Sequence, residues 1–196
     1  MASVFDIASE FVKRAGGEVE AVKLQKLCFY AFGWYAHLTG EPLFGEQFYA
    51  MKFGPVVGQL LSAHAKSKVV DQKMLEVQFK AWDTQRQELS EYIEEVIDSV
   101  WDTYSQKEAF VLADYSHDEA VWKDAWDSRP EGSRRANMPQ GTLISYFLER
   151  EPKTGEVQHL PPAMLTRAKR EILEEAEHVS SVHHPFIEVI RKQHSA

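Results

Sequence analysis

The stretch Ala21-Val-Lys-Leu-Gln-Lys-Leu-Cys-Phe-Tyr-Ala-Phe-Gly-Trp-Tyr-Ala-His-Leu-Thr39 decides how this chain folds. Leu24, Leu27, Cys28, Ala31, Trp34, Tyr35 and Leu38 recur at helical spacing and cover most of a helix's circumference. Lys23, Lys26, Tyr30, Gly33 and His37 leave only a thin polar or small stripe. A helix apolar over most of its surface is a central one, because it must be buried on several sides. The rest of the chain therefore wraps it, and Gly40-Glu41-Pro42 breaks it.

Upstream, Ser3 is placed to cap a first helix with Asp6 completing the local box. Val4, Phe5, Ala8, Phe11, Val12 and Ala15 follow at helical spacing until Gly16-Gly17 ends the run. Downstream, Phe48 to Phe53 has the aromatic character of a strand, and Gly54-Pro55 turns into a short helix carrying Val56, Val57, Leu60 and Leu61. Between Met74 and Trp82 apolar Leu75, Val77, Phe79 and Ala81 alternate with polar residues. That period of two predicts a strand pairing with 48–53, with a helix as the competing reading.

Leu89, Tyr92, Ile93, Val96, Ile97, Val100, Trp101 and Tyr104 predict an amphipathic helix whose outer face carries Glu91, Glu94, Glu95, Asp98 and Asp102. Such a face is either simply solvated or a docking surface for a basic partner. Two capping boxes, Ser105-Gln-Lys-Glu108 and Ser116-His-Asp-Glu119, should each open a short helix. Asn137, Pro139 and Gln140 should open another, with Leu143, Ile144 and Phe147. Residues 149–158 are polar, with Pro152 and Gly155, and read as a linker. Beyond it, Leu165, Ala168, Ile172, Ala176 and Val179 predict one helical face, and Phe186, Ile187, Val189 and Ile190 a last helix. The expected architecture is a mainly α, multi-helix globular domain with a near-fully buried central helix and a small β element. Its expected division is 1–150 for the domain and 151–196 for a polar linker and C-terminal helical appendage.

Hydrophobic residues at 44% supply enough apolar surface for a core, which excludes a disordered chain. The formal charge of −8 argues against non-specific attraction to nucleic acid or anionic membrane. Lys23, Lys26 and Lys52 are too few for a nucleic-acid footprint. The single cysteine, Cys28, excludes an internal disulfide and sits in an apolar run, as a buried structural thiol would. Met1 to Asp6 lacks the basic start and apolar stretch of a signal peptide, and no run has the length of a membrane span, so the cytoplasm is the expected location.

Three stretches, in order, carry a resemblance: Lys23 to Tyr35 with Thr39-Gly-Glu-Pro-Leu-Phe44, then Ala50-Met-Lys-Phe-Gly-Pro-Val-Val57, then Leu112-Ala-Asp-Tyr-Ser-His-Asp-Glu-Ala-Val-Trp122. Together they resemble the Panacea domain of bacterial and phage antitoxins, over roughly residues 4–150. Met51-Lys52-Phe53 stands where the family often has Trp-Lys-Tyr, and Ser116-His117 where Thr-His is common. The resemblance implies a protein that neutralises a cognate toxin encoded beside it, usually by direct contact. One family member is also an adaptor that delivers its toxin to an ATP-dependent protease. The family says little about the last residues of this chain.

The candidate sites are correspondingly modest. Gly54 and Pro55 would leave the Val56 and Val57 N–H groups free at a helix start, where an anion or partner carboxylate binds, though the pair is also plain helix punctuation. Ser116 reads as a cap, His117 as a hydrogen-bonded structural residue and Trp122 as core; the competing role for His117 is general base of a hydrolase, without a nucleophile motif beside it. No catalytic constellation or cofactor motif stands out. His183-His184 would point about 100° apart on a helix, and no Cys-x-x-Cys or His-Glu-x-x-His pattern exists, so no metal is expected. A DNA-binding autoregulator is disfavoured by charge. The partner-binding candidates are the apolar stripe Leu165, Ile172, Val179, Phe186 and Ile190, together with Gly54 and Pro55.

Overall fold

The computed structural model describes residues 1–65, 67–82 and 85–165. The long apolar segment forms α2 (Ala21–Thr39), and it is central: Leu24, Leu27, Cys28, Phe29, Tyr30, Ala31, Phe32 and Trp34 are all fully buried. Around it pack α1 (Val4–Arg14), α5 (Glu91–Tyr104), α6 (Ala109–His117) and α8 (Gln140–Glu149). Helix α1 begins at the capping box expected for it: the Asp6 N–H donates to Ser3 Oγ at 3.3 Å and the Ser3 N–H to Asp6 Oδ2 at 2.8 Å. Gly33 is what brings α8 close, since a Cβ there would lie 2.2 Å from the Phe147 ring.

The β element is small. Strands β2 (Phe48–Met51) and β3 (Gly54–Val57) form a hairpin, with Phe48 opposite Val57 and Met51 opposite Gly54. Strand β5 (Arg135–Met138) pairs on the other side of β2, Phe48 opposite Met138. A second pair joins β1 (Glu18–Glu20) to β4 (Val69–Asp71), both antiparallel. The short helices α3 (Gly58–Ala63), α4 (Gln72–Ala81) and α7 (Ala120–Asp127) complete the mainly α domain. Among the described residues no helix is long and apolar enough to cross a membrane.

Several expectations are overturned. Residues 74–82 are helical, not a strand: Asp71 accepts from the Met74 N–H at 2.8 Å and caps α4, and Leu75 and Phe79 face the core four residues apart while Val77 is exposed. Leu75 and Phe79 satisfy either period, and the cap decides between them. The partners of β2 are therefore 54–57 and 135–138. Gly54-Pro55 opens a strand, with α3 starting at Gly58. Ser105 and Ser116 are not N-caps: Ser105 ends α5, and Ser116 lies in the last turn of α6, donating to the Ala113 carbonyl at 2.6 Å. Glu108 and Glu119 hold the N-cap positions of α6 and α7, without a side-chain capping bond. Asn137 lies on β5 and Pro139 is the residue that precedes α8.

Residues 150–157 are also unlike a solvated linker. Arg150, Glu156 and Val157 are buried, the Val157 N–H donates to Thr103 Oγ1 at 3.0 Å, and the compact unit runs on to Met164. Val157 has φ +42°, an uncommon conformation for a β-branched residue, held here by burial and that hydrogen bond. Leu165 is exposed; Ile172, Val179, Phe186, Ile190 and the His183-His184 pair lie outside the described residues.

Candidate functional site

The hairpin β2–β3 and helices α2 and α7 converge on a cleft of about 460 Å³. Lys26, from the polar stripe of α2, lines it together with Gln25, Lys52, His64, Trp126 and Arg134. Lys26 is 1% exposed, and its ammonium donates to the Pro55 carbonyl at 2.8 Å. Burial lowers its pKa to about 7, because the charged form has lost its water. Gly54 is required beside it: φ is +91°, and a Cβ would lie 2.4 Å from Ser116 Oγ and 2.8 Å from Lys26 Cε. The glycine thus lets the hairpin turn pass close beside the lysine.

Gln25 fixes the same hairpin, accepting from the Val57 N–H at 2.8 Å and reaching His64 Nε2 at 3.0 Å. The Val57 N–H is consequently satisfied and does not form the anion site expected of a helix start. His64 is pushed below the ordinary imidazole range by burial, with the Lys26 charge adding to it. His117 is lowered for the same two reasons, in that order, despite Asp114 and Asp118 nearby. Its ring stacks on Trp122 at 4.0 Å, and its Nε2 is buried without a hydrogen-bond partner among the described residues. Trp122 is buried as expected and donates to the Met51 carbonyl at 3.2 Å, which ties α7 to the hairpin. Gly54, Pro55, Ser116, His117 and Trp122, which lie far apart in sequence, are therefore neighbours through Lys26 and Met51.

Phe53, which lines the cleft, and Phe110 are 48% and 60% exposed and touch edge to face, with centroids 5.7 Å apart; Val111 beside Phe110 is exposed too. Large apolar side chains clustered in water mark contact surfaces more often than scattered ones do. This ridge was not legible in the sequence, because Phe53 reads as the end of an aromatic strand and nothing sets Phe110 apart. Sequence reasoning also missed what the buried polar stripe meant: a lysine on an all-round apolar helix has nowhere to go but inward.

A second buried polar group lies behind α2. Arg150 Nε and Nη2 donate to Glu119 at 2.7 and 2.8 Å, and Nη1 and Nη2 to Glu156 at 2.9 Å each. Tyr30 and Tyr146 donate to Glu119, and Tyr104 and Tyr115 to Glu156. Burial works against the guanidinium charge, but the two carboxylates outweigh it and raise the Arg150 pKa. Burial likewise opposes the Glu156 charge, and Arg150 and Tyr104 reverse that and lower its pKa. Every member finds a partner, so this network is a structural clasp across α2, α5, α6, α7 and α8. Cys28 is buried and its thiol pKa is pushed up by burial, in keeping with a structural role.

The acidic face of α5 is partly neutralised from within: Arg14 on α1 pairs with Glu94 at 2.6 Å and Asp98 at 2.7 Å. Among the described residues no group of three or more His, Cys, Asp or Glu could hold a metal ion.

The family model described as antitoxin SocA-like, Panacea domain, matches residues 24–123, just over half of the chain. That span runs from α2 to α7 and contains Lys26, Gly54-Pro55, Phe53, Phe110 and Trp122. No curated protein and no solved structure matches.

Proposed function

The chain belongs to the SocA-like Panacea antitoxin family, and we propose that it neutralises a cognate toxin by binding it directly, through the face that carries the Phe53–Phe110 ridge and the Lys26 cleft. The observation that carries this reading is the exposed aromatic pair within the family-matched span. Aromatic side chains that anchor a protein interface are worth on the order of 2 kcal/mol or more each when desolvated. His117, the base candidate of the hydrolase reading, is stacked on Trp122 and among the described residues has no serine or cysteine hydrogen-bonded to it, so its geometry supports packing better than hydrolysis. The stripe Leu165, Ile172, Val179, Phe186 and Ile190 remains a proposed second contact surface, in keeping with its apolar periodicity.

The test is growth of cells expressing the product of the adjacent gene. Co-expression of this chain should restore growth, and Phe53→Glu with Phe110→Glu should abolish rescue while the protein keeps its melting temperature. Rescue undiminished by both substitutions would move the contact face elsewhere.

A further inference from the structure

An ammonium has three donors and a full charge, and burying it without a carboxylate is costly. Lys26 is in that position: among the described residues it has one acceptor, the Pro55 carbonyl, and forms no ion pair. An apolar side chain of similar length at this position would spare the domain that cost. Among the described residues the cleft beside it is lined by Lys26, Lys52, His64 and Arg134 and by no carboxylate, in a chain whose formal charge is −8. Between these basic groups the walls are apolar, with Val56, Leu61 and Trp126 among them.

We propose that this cleft receives an acidic, apolar segment of the partner toxin, whose carboxylate pairs with the Lys26 ammonium while its flanking aliphatic side chains fill the walls. Naming the toxin as the source rests on the toxin-binding reading; the carboxylate chemistry rests on the cleft alone. The paired lysine must be charged, whereas in the free chain it loses its proton above about pH 7. Binding therefore takes up a proton above that pH, and affinity falls as pH rises. His64 at the end of α3 and His117 on α6 also feel the Lys26 charge, and Asp114 and Asp118 lie beside His117. Both imidazoles are lowered from their ordinary range, whereas the loss of binding is read on the alkaline side of pH 7. Lys52 and Arg134 face the segment from the rim.

The probes are two tripeptides with blocked ends, leucine-glutamate-leucine and leucine-glutamine-leucine, titrated into the full chain and followed by the indole N–H resonance of Trp126. The glutamate peptide should bind about tenfold more tightly at pH 7, and its preference should decay by up to about tenfold per pH unit and be gone by pH 9. Lys26→Met should bind both peptides alike. The pH dependence is read on the unaltered chain, so the outcome does not hang on the variant's folding. Equal binding of the two peptides at pH 7, no response from Trp126, or a preference that survives Lys26→Met overturns the proposal. A chain that prefers the glutamate peptide yet fails to neutralise the toxin keeps the cleft chemistry and loses the toxin assignment; neutralisation without that preference does the reverse.

Discussion

At the scale of single residues, Lys26 sets stability against chemistry. Its folded pKa lies near 7, below the ordinary lysine value of 10.5. Between those two values the unfolded chain holds a proton that the folded chain lacks, so stability rises with pH across that window and is lower, and flat in this contribution, beneath it. Lys26→Met should therefore stabilise the domain at pH 7 by about 1–4 kcal/mol, with the gain shrinking toward pH 10, as denaturant unfolding at several pH values would report. A variant less stable at pH 7 would mean that the bond to the Pro55 carbonyl outweighs the buried charge. Gly33 is the opposite kind of position, intolerant for want of space. Gly33→Ala forces a methyl into the Phe147 ring and should cost about 1–3 kcal/mol, read as a lower melting temperature. Helix α2 was legible in the sequence down to its ends, because an apolar circumference admits only a buried helix. The role of Lys26 was not, since the side chain's fate depends on a glycine turn 28 positions later.

Elements were legible where one signal acted alone. The Ser3–Asp6 box and the Gly16-Gly17 stop bounded α1 correctly. Helix α5 followed from its apolar face, with Ser90 as the cap that the sequence reading passed over. The misreadings came where a local motif had two solutions: alternation at 74–82 also fits positions four apart, and the Ser116 box gave way to a back-bond onto Ala113. The run from Arg150 to Val157 was missed because its polar residues satisfy one another in the interior instead of in water. That pairing is a long-range fact, joining Glu119 to Arg150 and Arg150 to Glu156, and no periodicity records it. Arg150→Met would leave two carboxylates buried without their cation and should cost about 3–5 kcal/mol, measured by denaturant unfolding at pH 7. The lowered Glu156 pKa adds stability that is present above the ordinary glutamate value of 4.5 and is lost as pH falls through the lower folded value. Acid unfolding of wild type should thus be steeper than that of Glu156→Gln in that range.

For the whole molecule, the clasp moves the boundary at which the chain can be cut. Truncation after Glu151 removes Glu156 and Val157 and should unfold the domain, whereas truncation after Met164 keeps the compact unit and should leave its melting temperature within a few degrees of the full chain. If the shorter-tailed chain, 1–164, is folded but no longer neutralises the toxin, the stripe from Leu165 to Ile190 carries part of the contact. The family and its mainly α architecture were readable from three ordered stretches; the contact face was not, because an exposed Phe53 and a buried Phe48 look alike in sequence. The central claim is direct neutralisation, and it is tested most directly by titrating the purified full chain into the purified toxin and measuring toxin activity with no protease present. Activity should fall to zero at a fixed stoichiometric ratio, and the Phe53→Glu, Phe110→Glu chain should leave it untouched. A toxin that keeps full activity at saturating, folded chain would contradict the account and leave delivery to a protease as the mode of action.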